Sequence, residues 1–575
     1  AAAPALARAA VLPDARMRAG PCADVTPRDA LEQAAALVAD ARAARLHAAK
    51  SDAVRALLPA AGGQWAAAML VTLVLVKLSR TRMRASVGCG LAMLAWAAAA
   101  WAGRVPWPLA QDATLDLGRV GAAWDAWPAP FVLALAGAGL ACVAAGALTR
   151  RPRVPPPQTL ASRAGLAGFI VATGVGWIVL LDLSAHGPPS NRYLALYHQG
   201  HLWLALLVLT VVAFLRPALG RGLAALLAIV DEIAGRIGRS LGPAGGAAVL
   251  ALAIVAIVTA IGLLLSGVRQ FTSELGRVWL VVGVAWFFFL RGGAVAERLA
   301  RDAPPLASLL RYAWPLAFVA LVLAGAMVVT RDMGPLLIAC YAAGAFLAAT
   351  IAMWWHVRTR AVVVPSITAI ALFALWIAGV TQMLFAFGAL DEVTAGRLEN
   401  LAAPLASAND QLALVTWFRD AVPPGGFGPG AVPWCGFASG AGCSGVPAQI
   451  QSDYTFTALV GMFGHAAAWG LALGAALWLH RLIAHHGHVT RGEPRLVRRG
   501  GRIVADPQAF LSWIGVAWVV LALCQLAVTV AGNLAVLPLT GVTFPFVSFG
   551  MTSLVVNCAL LALCINVTVP GAAGA

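Results

Sequence analysis

The sequence predicts an all-α, polytopic integral membrane protein, on three observations. First, 61% of its 575 residues are hydrophobic and 11% charged, with a mean hydropathy of +0.83. Long apolar runs in such a chain are measured against a bilayer rather than a soluble core. Second, about thirteen runs are long enough to span, centred near 64–79, 85–102, 130–148, 164–184, 199–215, 246–266, 277–291, 313–330, 334–354, 362–386, 455–480, 511–532 and 546–567. Third, arginine is concentrated on alternate connections. The stretch "HRLIAHHGHVTRGEPRLVRRGGR" carries Arg481, Arg491, Arg495, Arg498, Arg499 and Arg502. The positive-inside rule makes it cytoplasmic, and "SRTRMR", "TRRPR", "LRPALGR" and "HVRTR" fall on the same side when the spans alternate.

The longest connection, about 387–454, then lies outside, with Asp391, Glu392, Glu399, Asp410, Asp420 and Asp453 against Arg397 and Arg419. An odd number of spans places the amino terminus outside and the carboxyl terminus in the cytoplasm. The formal net charge of +16 is mostly this topology signal, with some attraction to anionic membrane lipids. Nucleic-acid binding needs a soluble basic domain, and none is evident.

Along the chain, residues 1–63 are Ala- and Arg-rich and read as an extracytoplasmic helical segment. In "VTPRDALEQ", Thr26 is the expected N-cap, Pro27 occupies the first turn, and Asp29 and Glu32 sit near the positive end of the helix dipole. Ala1 is not an initiator methionine, which leaves room for an upstream signal or anchor outside this sequence. Three spans follow over 64–148, then a cytoplasmic Pro/Arg linker, "TRRPRVPPPQTLASR", over 149–163, then ten spans over 164–570.

Six cysteines, Cys89, Cys142, Cys340, Cys524, Cys558 and Cys564, lie in apolar runs and read as small buried residues. Cys435 and Cys443 share the long outer loop, where an oxidising compartment allows a disulfide. No CxxC pair or His-rich metal spacing occurs on the outer side, and "HRLIAHHGH" reads as a solvated basic loop.

Candidate chemistry gathers at the outer ends of the last ten spans. Glu274 and Arg277 in "SELGR" read as a helix-start carboxylate with an interfacial arginine. Arg269 either snorkels or holds an anion, Asp332 caps a helix or meets a ligand, and Arg397 and Gln411 are loop residues. Asp453 is the last acid before the run "YTFTALVGMFG", where partial desolvation suits a general base; the competing reading makes Ser452 or Asp453 an N-cap. The last span opens on "GVTFPFVSFGMTSL", too irregular for backbone facing lipid. It is expected to wall an outward cavity opposite Asp453 through Pro545, Ser548, Gly550, Thr552 and Ser553, although Ser548 and Ser553 could simply repair backbone bonds.

Several of these stretches resemble one family in sequence order. "LPLTGVTFPFVSFGMTSL" resembles the "LPxTGxPLPFVSYGGSSL" signature of the SEDS family, the RodA, FtsW and SpoVE proteins. "SGVRQFTSELGR" resembles "GxRRWxxxQPSELxK", and "TRDMGPLLI" resembles "QPDLGTALL". "GRLENLAAPLASANDQLALVTWF" with "GGFGPG" resembles the family's large loop, and "VPAQIQSDYTFTALVGMFG" resembles "LPEAHTDFIFAVIGEELG". The resemblance covers about 164–570 and implies a SEDS-type ten-helix core preceded by about three additional transmembrane helices.

It further implies a peptidoglycan glycosyltransferase in the bacterial cytoplasmic membrane, serving elongation or division. Such an enzyme polymerises lipid II at the outer face, beside a class B penicillin-binding transpeptidase. The family's essential aspartate matches Asp453. Arg269, Glu274, Arg277, Asp332, Arg397, Gln411, Ser548 and Ser553 are the matching substrate-binding candidates, with no metal ligand among them. No cofactor is required, and a divalent cation remains compatible. The departures are specific: Gly461 and Met462 replace the two glutamates of "GEELG", Phe549 and Met551 alter "SYGGSS", and Gln451 replaces the histidine of "HTDF". They keep open a noncatalytic scaffold for a penicillin-binding protein. A flippase or transporter of lipid-linked intermediates is the other alternative, although it would want ionisable residues at mid-span.

Overall fold

The computed structural model describes residues 27–78, 85–102, 160–186, 204–216, 218–222, 280–289, 340–348, 363–388, 418–420, 422–432, 449–490, 497–499, 502–504, 507–537 and 542–565, with isolated positions between them. The long helices are α1 (Pro27–Leu78), α2 (Ala85–Ala102), α3 (Leu160–His186), α4 (Val363–Gly388), α5 (Thr455–Thr490), α6 (Pro507–Asn533) and α7 (Met551–Ile565). Strands β1 (Val497–Arg499) and β2 (Arg502–Val504) pair antiparallel, with Arg498 opposite Ile503.

Among the described residues, four helical segments are long and apolar enough to cross a membrane: Leu166–Ser184, Val363–Val380, Thr455–Ile483 and Phe510–Asn533. Shorter apolar helices run over Ala68–Leu78, Leu204–Arg216, Leu280–Phe289 and Thr552–Ile565. All eight fall on runs expected from the sequence, and the molecule is an all-α, multi-pass membrane protein. The runs near 246–266 and 313–330 lie outside the described residues.

Two local features differ from the sequence reading. The stretch "HRLIAHHGH", expected to be a solvated basic loop, is helical within α5, which runs as far as Thr490, and the β1–β2 pair follows it. In the sequence these strands are separated by Gly500 and Gly501, a pair of the residue type that hairpin turns favour and a signal that the arginine count masked. At the other end, the hydrophilic helix and the first span form one helix, α1, which begins at Pro27 and carries Pro59 inside. Thr26 lies outside the described residues.

The most extensive helix pair is α5 with α6, and α3 and α7 close around it. At its centre is the non-helical segment before α7. Phe546 sits at φ 62, a left-handed conformation that costs a bulky residue roughly 1–2 kcal/mol. Its ring is 3% exposed and meets Phe169, Trp478 and Trp518 edge-on, with centroids 5.3, 5.8 and 6.3 Å away. Such contacts contribute about 0.5–1.5 kcal/mol each beyond burial, enough to hold the strained backbone. The irregular segment therefore avoids lipid by burying itself in protein. α4 shows the opposite pattern: Val363, Ile367, Ile370 and Leu375 are exposed, as a lipid-facing helix requires. Trp376 Nε1 ties it to Cys340 O at 2.8 Å.

Candidate functional site around Asp453

Asp453 lies in a tight turn, Gln449–Tyr454, immediately before α5. Gln449 takes φ 64, and its carbonyl accepts from the N–H groups of Ser452 (3.0 Å), Asp453 (2.9 Å) and Tyr454 (3.4 Å). Asp453 itself is partly exposed. The turn is stitched to the segment before α7, almost a hundred residues later. Ser548 Oγ donates to Ser452 O at 2.9 Å, accepts from Phe544 N–H at 2.7 Å and lies 2.8 Å from Thr455 Oγ1. Phe549 N–H donates to Gln451 O at 2.8 Å. Ser548 thus does more than repair its own segment, because it joins two motif stretches across the fold.

The opposite side of the turn is held by α6. Asn533 Nδ2 donates to Asp453 O at 2.8 Å, while its Oδ1 accepts from Thr457 N–H at 3.0 Å and Thr457 Oγ1 at 2.9 Å. The first-turn N–H of Thr457 is therefore capped from another helix. Further down α6, Thr529 Oγ1 reaches Val542 O at 3.1 Å and Gln525 Nε2 reaches Thr543 O at 2.6 Å. Thr543 Oγ1 meets Ser553 Oγ at 3.0 Å, and Ser553 O accepts from Asn557 Nδ2 at 2.9 Å.

A glycine-rich loop covers the adjoining part of α5. The helix breaks at Gly464 (φ 80, ψ 168), which frees the carbonyls of Gly461 and Met462. They accept from Phe427 N–H and Gly428 N–H, each at 2.8 Å. A Cβ at Gly464 would collide with Pro424 O, and one at Gly426 with the backbone of Gly464, so only glycine permits this approach. The loop is anchored to α3 by Asp182, fully buried, whose Oδ1 accepts from Gly430 N–H (2.7 Å) and Oδ2 from Trp434 Nε1 (2.6 Å). His186 Nδ1 lies 2.9 Å from Asp182 O and 3.3 Å from Asp182 Oδ1. On the exposed rim, the hydrogen bond from Arg419 holds the Asp420 carboxyl below its ordinary range, and His465 Nε2 meets Arg419 O at 2.8 Å.

Of the residues singled out from the sequence, the fold brings the Asp453 turn and Ser548 together and places Ser553 in the first turn of α7, just after that segment. Arg277 is buried near the start of another span, at 7% exposure. Arg269, Glu274, Asp332, Arg397, Gln411, Cys435 and Cys443 lie outside the described residues. The sequence reading passed over Asp182, Gln525, Thr529 and Asn533. The last three recur every fourth residue within an apolar run, a polar stripe that marks a buried helix face.

Residues 496–571, which contain β1, β2, α6, the irregular segment and α7, match the family model for FtsW, RodA and SpoVE, described as "Cell cycle protein". Over that segment the chain is similar to the FtsW/RodA/SpoVE family. A solved structure, "Structural coordination of polymerization and crosslinking by a peptidoglycan synthase complex", is similar at 19% identity and a TM-score of 0.41. The similarity covers 69% of this chain and 96% of that one. No curated protein matches the sequence.

The chain departs from the SEDS pattern that its motifs resemble where the glycine-rich loop docks. Met462 is 1% exposed, and a Cβ at Gly461 would collide with the ring of Phe418. The two positions that the resemblance assigns to glutamates are thus occupied by packing, and acids there would be buried against an apolar cluster of Phe418, Trp434 and Phe456.

Proposed function

We propose that the protein is a peptidoglycan glycosyltransferase that polymerises lipid II at the outer face of the bacterial cytoplasmic membrane, with Asp453 as its general base. One observation carries the reading. The Asp453 turn and the segment around Ser548, far apart in sequence and both bearing family motifs, are joined by direct hydrogen bonds. The reaction is displacement at the donor's anomeric carbon by the acceptor's 4-hydroxyl. The hydroxyl proton passes to the Asp453 carboxylate while undecaprenyl diphosphate leaves with the bonding electrons. The donor's lipid tail stays in the bilayer, and a class B penicillin-binding transpeptidase receives the glycan product.

Purified protein, with and without such a partner, is to be tested for extension of lipid II. Asp453→Asn keeps the side-chain shape and the turn's backbone bonds, and should lower polymerisation by about a hundredfold or more while preserving folding and partner binding. The second reading, a noncatalytic scaffold, is favoured by the packed Gly461 and Met462 positions. It replaces the first if Asp453→Asn supports full cell-wall function while disruption of the partner contact abolishes it.

A further inference from the structure

We propose that Asn533 is the positioning residue that sets the direction of the Asp453 side chain, an inference that rests on the glycosyltransferase reading. Asn533 is 3% exposed at the last residue of α6. Its amide uses its full hydrogen-bonding capacity. Oδ1 accepts twice from Thr457, and Nδ2 donates to Asp453 O and to Thr529 O, both at 2.8 Å. This pattern fixes the amide's orientation, since the flipped form would face an N–H with its NH2 group and two carbonyls with its oxygen.

The consequence for Asp453 follows from peptide planarity. The Ser452 carbonyl belongs to the peptide plane before the Asp453 Cα, and the Asp453 carbonyl to the plane after it. Ser548 Oγ holds the first at 2.9 Å and Asn533 Nδ2 holds the second at 2.8 Å. With both planes pinned, φ and ψ at Asp453 are set, and so is the Cα–Cβ direction. The same amide also grips Thr457 in the first turn of α5, so the turn and the helix after it move as one unit. Gln525 and Thr529 extend the contact to residues 542 and 543, which feed the segment carrying Ser548. α6 therefore acts as a polar rail that holds both sides of the Asp453 turn.

The test uses the full-length protein in lipid, with lipid II as substrate. Asn533→Ala should reduce kcat by about tenfold to a hundredfold, with KM within about twofold, because a small misplacement of a catalytic group costs rate more than binding. Asn533→Asp keeps the acceptor half of the network but sets a carboxylate beside the turn, so the acid limb of its pH–rate profile should move to higher pH. The decisive measurement is the double variant. In an Asp453→Asn background, Asn533→Ala should have no further effect on residual kcat. An equal loss in both backgrounds, or a change in KM alone, would overturn the positioning role. If the parent protein does not extend lipid II, the glycosyltransferase reading fails on its own. The geometry is then read from maleimide labelling of Asp453→Cys, whose rate should change about fivefold or more when Asn533→Ala is added; an unchanged rate refutes it.

Discussion

Asp182→Ala tests how the glycine-rich loop is held. The side chain is fully buried and is the acceptor for two buried donors, Gly430 N–H at 2.7 Å and Trp434 Nε1–H at 2.6 Å. Alanine leaves both donors without this acceptor, at roughly 1–3 kcal/mol each. Partial relaxation of the loop should bring the net loss to about 3 kcal/mol of local stability, which is about a hundredfold in an opening equilibrium. Hydrogen exchange by mass spectrometry, on protein in lipid nanodiscs, should show peptides over 422–434 exchanging faster by that factor. Asp182→Asn should recover less than half of the loss, because its NH2 group then faces a donor. Loop exchange in Asp182→Ala equal to that of the parent would show that these two bonds do not hold the loop, and the anchoring argument would fall.

Three further outcomes are expected besides that of Asp453→Asn. Gly464→Ala forces a Cβ into Pro424 O at φ 80 and should expose the loop, costing about 1–2 kcal/mol or more for the backbone conformation alone; unchanged exchange over 422–434 would contradict it. A cysteine label near Gly440 should react from outside the cell and one near Arg495 only from inside, and reaction of both from one face would overturn the assigned topology. Cys435 and Cys443 should be disulfide-linked in protein prepared without reductant, adding a few kcal/mol of stability; mass spectrometry that finds both thiols free rejects the pairing.

The class of the molecule was legible because bilayer thickness imposes a length on every spanning helix, and the expected runs over 164–184, 455–480 and 511–532 reappear in α3, α5 and α6. Asp453 and Ser548 were legible as candidates because a carboxylate at a span end and an irregular apolar segment both violate what lipid tolerates. Asn533 and Asp182 were not singled out. An asparagine at the end of an apolar helix and an aspartate near another have unremarkable local spacing, and their roles depend on partners 80 and 252 residues away.

The substitutions at Gly461 and Met462 show the same division. In the sequence they are lost acids. In the fold they are the place where a broken helix offers two carbonyls to a glycine-rich loop. The sequence by itself determined the membrane class, the position of the apolar helices among the described residues and the motif segments, since hydropathy and helix period are properties of neighbouring residues. Only the tertiary structure decided which segments meet: that Ser548 and Asn533 pin the two peptide planes of Asp453, and that Phe546 in a left-handed conformation is held by three aromatic rings. Hydrogen bonds and ring contacts between distant segments arise from packing, which no local pattern encodes.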